Sequence, residues 1–483
     1  MRGSIVTRWT SIAAVFVVLG ASASRADDAE LEALKKAVEQ MQQTINTLNQ
    51  KIEKLERERQ QEKAAAAAAQ PPSVAAAPPA PEAPPPPTAE AAAKAVETVL
   101  TPQGIGPQEP VDPAMRGFVR IPNTGMLLRF NTKPRVDFTY DTGNAGDDNR
   151  FITAKIPVTG DPTKGGGPVF NANSKGSQLI VDVRAPDVAG SPRFYYQNDF
   201  FASGSSEFNY RIQHLYGSIY NVTVGQTFSP FEDPDIWPDT VDYEGPNSMI
   251  FARFPLVRYK LPLGENWALN GGLSQARTSV SDFNGEAVSA VNHAPDFAFN
   301  LRGDSDLGHA QLGTVFRDLG AKSPTFGSHS VFGWGLNLSA ALKIKLPWHT
   351  DEYNDDVLGG QFTYGEGIGH YGNDTDFFPT DAAFGNNGNL EALPYYGAFG
   401  GYTHYWFPSW RSTGTFGWVK VDGLNTQGAD AYHQTQYASG NLVWQLRERL
   451  SVGVEVLYGN NQKESGASGH VFRNQVGVAY SLF

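Results

Sequence analysis

Two sets of charged residues have the types and spacing to act on a solute. Between Phe228 and Pro246 lie Glu232, Asp233, Asp235, Asp239, Asp242 and Glu244, in a stretch stiffened by Pro230, Pro234 and Pro238. The second set is spread along the chain: Arg129, Lys133, Arg135, Arg184, Arg193, Arg211, Arg258 and Lys260, with Lys343 and Arg411. These bases share the polar parity of segments in which apolar and polar residues alternate, and outnumber the acids Asp137, Asp182, Asp199 and Glu455 of that parity. Arg253 has the opposite parity to Arg258, which places one of them at a rim or implies a register shift near Pro255. Fixed charges facing a water-filled space sort solutes by sign, and they count for more between low-dielectric walls than in bulk water.

Bond-breaking chemistry has little foothold. The absence of Cys removes thiol nucleophiles, disulfides and Cys-ligated metal sites. The nine His form no HExxH pattern, and there is no GxSxG. Gly367-Ile-Gly369-His-Tyr-Gly372 matches a dinucleotide fingerprint by letters alone, since it precedes an Asn/Asp-rich stretch and opens no helix. Asp351, Glu352, Asp355 and Asp356, and then Asp374, Asp376 and Asp381, offer oxygen ligands to calcium. Lacking EF-hand spacing, both groups are expected to be solvated external loops. No cofactor and no metal is expected.

The elements that must position these charges follow from period-two alternation, which marks half-buried strands. In the first, Leu128, Phe130, Thr132, Pro134, Val136, Phe138 and Tyr140 share one face and Arg129, Asn131, Lys133, Arg135, Asp137 and Thr139 the other. An apolar face backed by a charged one suits a wall between lipid and a water-filled lumen. Similar segments recur near 177–185, 192–201, 208–220, 222–228, 252–261, 266–275, 295–303, 307–318, 328–345, 355–366, 396–406, 409–421, 434–447, 449–458 and 470–483. The expectation is an all-β transmembrane antiparallel barrel of about sixteen strands, with fourteen or eighteen also compatible. A barrel that wide leaves an aqueous channel. Composition agrees: charged residues are only 18%, Gly numbers 50 and aromatics make up 12%. No mature apolar run approaches the roughly 20 residues of a membrane-spanning helix. The formal charge of −12 argues against nucleic acid as a partner.

Ahead of the barrel region, 117–483, three segments differ in composition. Residues 1–26 read as a secretory signal, with Arg2 and Arg8 before the apolar run from Ile12 to Leu19 and small residues up to Ala26. Residues 27–60 carry a heptad stripe, Leu31, Leu34, Val38, Met41, Ile45, Leu48, Ile52 and Leu55, which predicts a coiled-coil helix, or else an amphipathic helix lying on barrel or lipid. Residues 61–116 collapse to Ala and Pro, the composition of an extended linker.

Gly225-Gln-Thr-Phe-Ser-Pro-Phe-Glu-Asp233, Glu244-Gly-Pro246 and Arg253-Phe-Pro-Leu-Val-Arg258-Tyr259 resemble the DcaP-like family of trimeric outer-membrane porins. Gly117-Phe-Val-Arg-Ile-Pro122, Arg211-Ile-Gln-His-Leu-Tyr216-Gly217 and the C-terminal Phe483 are similar to features of such barrels. The resemblance implies a homotrimer in the outer membrane, each barrel passing small organic anions such as dicarboxylates, with the coil in the periplasm. It also implies that the acidic stretch is the third long loop, folded inward as a constriction. One departure is that β-branched residues at heptad position a with Leu at d lean toward a dimer. The function expected is passive diffusion of small anionic solutes without catalysis. The rival readings are an envelope tether with an incidental pore and a barrel enzyme acting on lipid.

Overall fold

The structure is a computed structural model that describes residues 117–482 apart from 122–123, 203–207, 348, 350–353 and 448. The signal segment, the heptad residues Leu31 to Leu55 and most of the linker lie outside the described residues. The strands in chain order are β1 (Val119–Arg120), β2 (Leu127–Lys133), β3 (Arg135–Asp141), β4 (Val169–Asn173), β5 (Gln178–Arg184), β6 (Arg193–Asp199), β7 (Arg211–Ile219) and β8 (Val222–Phe228). After a long connection come β9 (Arg253–Pro262), β10 (Trp267–Ser274), β11 (Ser289–Val291), β12 (Asp296–Ser305), β13 (Gly308–Ser323), β14 (Gly327–Ile344) and β15 (Asp356–Glu366). The last are β16 (Ala382–Phe384), β17 (Leu390–Ala392), β18 (Pro394–Phe407), β19 (Trp410–Val421), β20 (Tyr432–Arg447), β21 (Leu450–Lys463) and β22 (Ser468–Tyr480).

Pairing is antiparallel and almost entirely between chain neighbours. β5 to β10 pair in sequence, β10 passes over β11 to β12, and β12 to β15 continue to β18 and on through β22. β22 then pairs with β3, from Arg473↔Asp141 to Ala479↔Arg135. β2 and β3 are one strand interrupted at Pro134, which has no N–H to give the ladder. β4 and β5 lie opposite them, likewise interrupted over 174–177. Connections at one end are short, such as 220–221, 306–307 and 408–409; at the other they are long, as in 142–168, 229–252 and 367–393.

Alternation divides the two faces as an inverted protein would. Phe130, Phe138 and Tyr140 are 49%, 42% and 47% exposed, while Asn131, Asp137, Thr139 and Asp141 between them are buried. Phe332, Leu336 and Leu338 are exposed on β14, whereas Asn337 and Ser339 are buried. The face that buries polar residues is called the inner face below. Much of it is covered by the long connections, whose Ile152, Phe231, Ile250, Ile368 and Tyr371 form an apolar cluster with Val315, Tyr395 and Val419 of the strands.

Each segment read as a strand contains one, but several boundaries move. β4 was hidden because Asn171 and Asn173 give it loop composition; they share a face where polar residues are normal. β13 runs on to Ser323 and β21 to Lys463 for the same reason. Gly225 in β8 has φ +135°, and a Cβ there would lie 2.3 Å from the Leu215 carbonyl oxygen, so the motif needs glycine at this position.

A charge on the exposed face tests which solvent that face meets. Val454 is 48% exposed between Leu442 and Val476. Val454→Arg should destabilise the protein folded in bilayers by about 2–4 kcal/mol. Equilibrium unfolding in lipid vesicles measures this, and no loss of stability would show that the face does not contact hydrocarbon.

Candidate functional site

The connection 229–252 leaves β8, lies across the inner face and returns to β9. Its first turn is set by Asp233, whose side chain accepts from the Asp235 N–H at 3.3 Å, with Pro234 opening the short 3-10 turn Pro234–Ile236. The wall supplies a donor to successive loop carbonyls. Asn300 Nδ2 donates to Pro230 O at 2.7 Å, Asn337 Nδ2 to Phe231 O at 2.9 Å and Gln311 Nε2 to Glu232 O at 2.9 Å. Farther round, Asn441 Nδ2 donates to Asp239 O at 2.8 Å, Gln475 Nε2 to Val241 O at 3.2 Å and Gln361 Nε2 to Ser248 O at 3.0 Å.

Inward-facing glycines mark the same path. A Cβ at Gly313 would lie 3.0 Å from Phe231 O, one at Gly359 2.8 Å from Ile236 O, and one at Gly401 2.7 Å from Pro238 Cβ. Gly453 and Gly477 would meet Val241 at 2.5 and 2.8 Å, and Gly417 would meet Asn247 at 2.5 Å. The strands give up side-chain volume where the loop approaches.

Ion pairs fasten the acidic residues. Asp233 lies 3.0 Å from His309 Nε2, accepts from Ser339 Oγ at 2.5 Å and is 3.4 Å from Arg302, which also pairs with Asp235 at 2.7 Å. Asp239 pairs with Arg411, and Arg150 of the first long loop grips both oxygens of Glu244 at 2.6 Å. Asp242 and Glu232 are held differently. The Asp242 N–H donates to Glu455 at 2.5 Å, while the Glu232 carboxylate accepts from the Ala252 N–H at 3.2 Å, tying the two roots of the loop together. Burial pushes Glu232 up to about 8, against its bonds from Ser229 and Ala252. Burial, with Glu455 and Glu244 close by, likewise pushes Asp242 up to about 8, Arg473 opposing.

The basic residues do not form one row. Arg129, Arg184 and Arg193 converge on the fully buried Asp182, at 3.5, 3.0 and 3.0 Å, so three cations surround one anion. The Phe118 ring lies over two of them, 5.0 Å from Arg129 and 5.2 Å from Arg184. Lys133 follows on the same face of β2. Arg211 is paired with Asp199 at 2.5 Å and Arg135 with Asp137 at 2.7 Å, while Arg135 also donates to Val241 O. Arg258 donates to Phe228 O at 3.4 Å; Lys260 and Lys343 are exposed near the ends of β9 and β14. Arg253 opens β9, its guanidinium over Phe228 at 4.7 Å and Phe251 at 4.4 Å and its Nε 3.2 Å from His214 Nε2. Its odd parity reflects that position at the junction of loop and strand.

One expectation is corrected. Asp374 and Asp381 are buried, not solvated, because 367–381 also lies on the inner face. Asp374 accepts from Thr153 Oγ1 at 2.8 Å, the Ala154 N–H at 3.1 Å and Thr435 Oγ1 at 2.7 Å. Asp381 pairs with the buried Arg317 at 3.2 Å, and the half-buried Asp376 with His370 at 2.5 Å. Protein donors thus meet these carboxylates. Asp356 is buried as well; Asp355 is half-buried, and Asp351 and Glu352 lie outside the described residues. Gly369–Tyr371, inside the dinucleotide look-alike, is a buried 3-10 turn. Arg150, Arg302, Arg317 and Arg473 were not singled out from the sequence. The signal that could have found their region is the run of glycines at inward parity.

The two raised carboxyls give the loop a pH dependence. Each is more easily protonated in the folded protein than in the unfolded chain, so the unfolded state binds fewer protons between about 4 and 8. Their contribution is complete below the ordinary carboxylate range and is lost as pH rises through about 8. Thermal stability should therefore fall between about pH 5 and 8 and level off above that, and Glu232→Gln should flatten that fall. A profile with the same slope in the variant contradicts the assignment.

Comparison with known proteins places this architecture. The family model described as DcaP outer membrane protein matches residues 121–482. The crystal structure of the outer membrane channel DcaP of Acinetobacter baumannii superposes with a TM-score of 0.62 at 21% identity, covering 74% of this chain and 98% of that one. An anion-selective porin from Comamonas acidovorans gives 0.45 at 10% identity, covering 74% and 100%. No curated protein matches. With three-quarters of its length accounted for by that family model, the chain belongs to the DcaP outer membrane protein family.

Proposed function

We propose that this protein is an outer-membrane porin in which sixteen strands close around a water-filled channel narrowed by 229–252, through which small anions diffuse passively. Membership of an outer-membrane family and the exposed apolar face support the location. The observation that carries the preference for anions is the grouping of Arg129, Arg184 and Arg193 around the single carboxylate of Asp182. Most other inner-face cations have a partner acid, so they contribute little net field. The three guanidinium groups lie within 3.5 Å of that one carboxylate, which gathers positive charge on this stretch of the inner face. At about 6 Å, one such charge attracts a carboxylate by roughly 0.7 kcal/mol at the dielectric of water and about 2.8 at an effective value of 20. A solute with two carboxylates can engage two of the guanidinium groups at once, which supports dicarboxylates as the preferred class.

The remaining parts follow the same reading. The signal segment exports the chain, the coil at 27–60 stands in the periplasm, and protomers assemble as a trimer. No cofactor takes part, and no step requires catalysis or energy input.

The test is the reversal potential across a salt gradient in planar bilayers. Wild type should be moderately anion-selective, less so at high salt, where the charges are screened. Changing Arg129, Arg184 and Arg193 together to Ala leaves Asp182 alone at the site and should shift the channel toward cations. Cation selectivity in wild type, or no shift in the triple variant, overturns the proposal.

A further inference from the structure

The outward face is apolar along most of its strands, and Asp356 is an acid that departs from that rule. Asp356 opens β15 and shares the outward parity of Leu358 and Phe362, which are 45% and 52% exposed. It is nevertheless completely buried. His404, on neighbouring β18, has the outward parity of Tyr402 and Trp406 and sits one residue beyond the Val357↔Thr403 pair. His404 Nδ1 lies 2.7 Å from Asp356 Oδ2, which also accepts from the Tyr402 hydroxyl, while Asp356 Oδ1 accepts from the Tyr405 N–H at 3.0 Å. The third member, His349, lies in the connection from β14 to β15, its ring 5.9 Å from that of His404 and inclined by 27°. A nitrogen of each imidazole and an oxygen of Asp356 all fall within 4.8 Å of one another.

From this juxtaposition we infer that His349, His404 and Asp356 bind a first-row divalent transition ion, Zn²⁺ foremost. Zinc to imidazole nitrogen distances are about 2.0–2.1 Å, so two imidazoles sharing one ion have ring centres roughly 5–6 Å apart, as these do. Two nitrogens and a carboxylate oxygen suit zinc; calcium and magnesium prefer oxygen alone. Placing a carboxylate on the outward face is costly unless it is compensated. The Tyr402 hydroxyl, the Tyr405 N–H and the His404 imidazole supply that compensation in the ion-free protein, and a bound ion would take the place of the imidazole contact. The other grouping of this kind among the described residues, Asp233, Asp235 and His309, already holds the Arg302 guanidinium 2.7 Å from Asp235. That grouping is therefore not a second site.

The test is calorimetric titration of the chelator-stripped full-length protein in detergent with zinc chloride. Wild type should show saturable binding of one ion per chain. His349→Ala and His404→Ala should each weaken it at least about tenfold, the scale expected even for losing a supporting partner. His433→Ala, which removes a partly exposed imidazole paired with Glu464, should bind as wild type. Cu²⁺ in the same site should show hyperfine coupling to two nitrogens by electron paramagnetic resonance, falling to one in His349→Ala. Should His404→Ala fail to fold, His349→Ala carries the test, since its position lies between strands. Absence of saturable binding in wild type, unchanged binding in His349→Ala, or equal loss in His433→Ala would overturn the inference.

Discussion

A segment that crosses the interior of a protein brings its peptide groups with it, and each buried group left unpaired costs about 1–3 kcal/mol. The connection 229–252 meets this constraint by borrowing donors from the sheet. Asn300, Gln311, Asn337, Asn441, Gln361 and Gln475 each place an amide N–H on a loop carbonyl. The polar inner face is thus a docking surface for the loop as well as a surface fit for water. Neutral amides suit the task better than charges, because they donate without needing a counter-ion when the loop covers them.

Charge on that face is accordingly unequal in effect. Arg302, Arg411 and Arg150 are tied to loop acids, and Arg211 and Arg135 to acids on strands. Such pairs fix position and leave little field at a distance. The cluster at Asp182 differs because one carboxylate is shared by three guanidinium groups. Three guanidinium groups thus lie together on the inner face of a protein whose formal charge is −12, since local arrangement and not the total sets the field nearby.

The sequence made the strands legible because a wall between two solvents must alternate, and Leu128 to Tyr140 does so without ambiguity. It also exposed the proline-stiffened acidic loop and the arginines of β2, β5 and β6. Long-range closure was hidden: nothing local says that Arg150 meets Glu244, or that Arg317 meets Asp381. The segment 367–381 was read as solvated because its acids look like those of any surface loop, whereas their partners Thr153, Thr435 and Arg317 come from distant parts of the chain. Gly359, Gly401 and Gly453 carried the missing information. Glycine at an inward position of a strand says that another segment of the chain lies close against it.

The central claim is that the loop rests on the inner face of the folded protein. Pro238 Cβ would lie 2.7 Å from a Cβ at Gly401, somewhat inside the usual disulfide range of about 3.5–4.5 Å between Cβ atoms, so a small shift joins them. Because the chain has no Cys, Pro238→Cys with Gly401→Cys introduces the sole thiol pair. Single-channel conductance of this variant, recorded before and after oxidation, is the direct measurement. The account predicts that an intramolecular disulfide forms in the folded protein and leaves conductance unchanged, the loop being already in place. Failure to cross-link, or a conductance that drops when the bond closes, would contradict it.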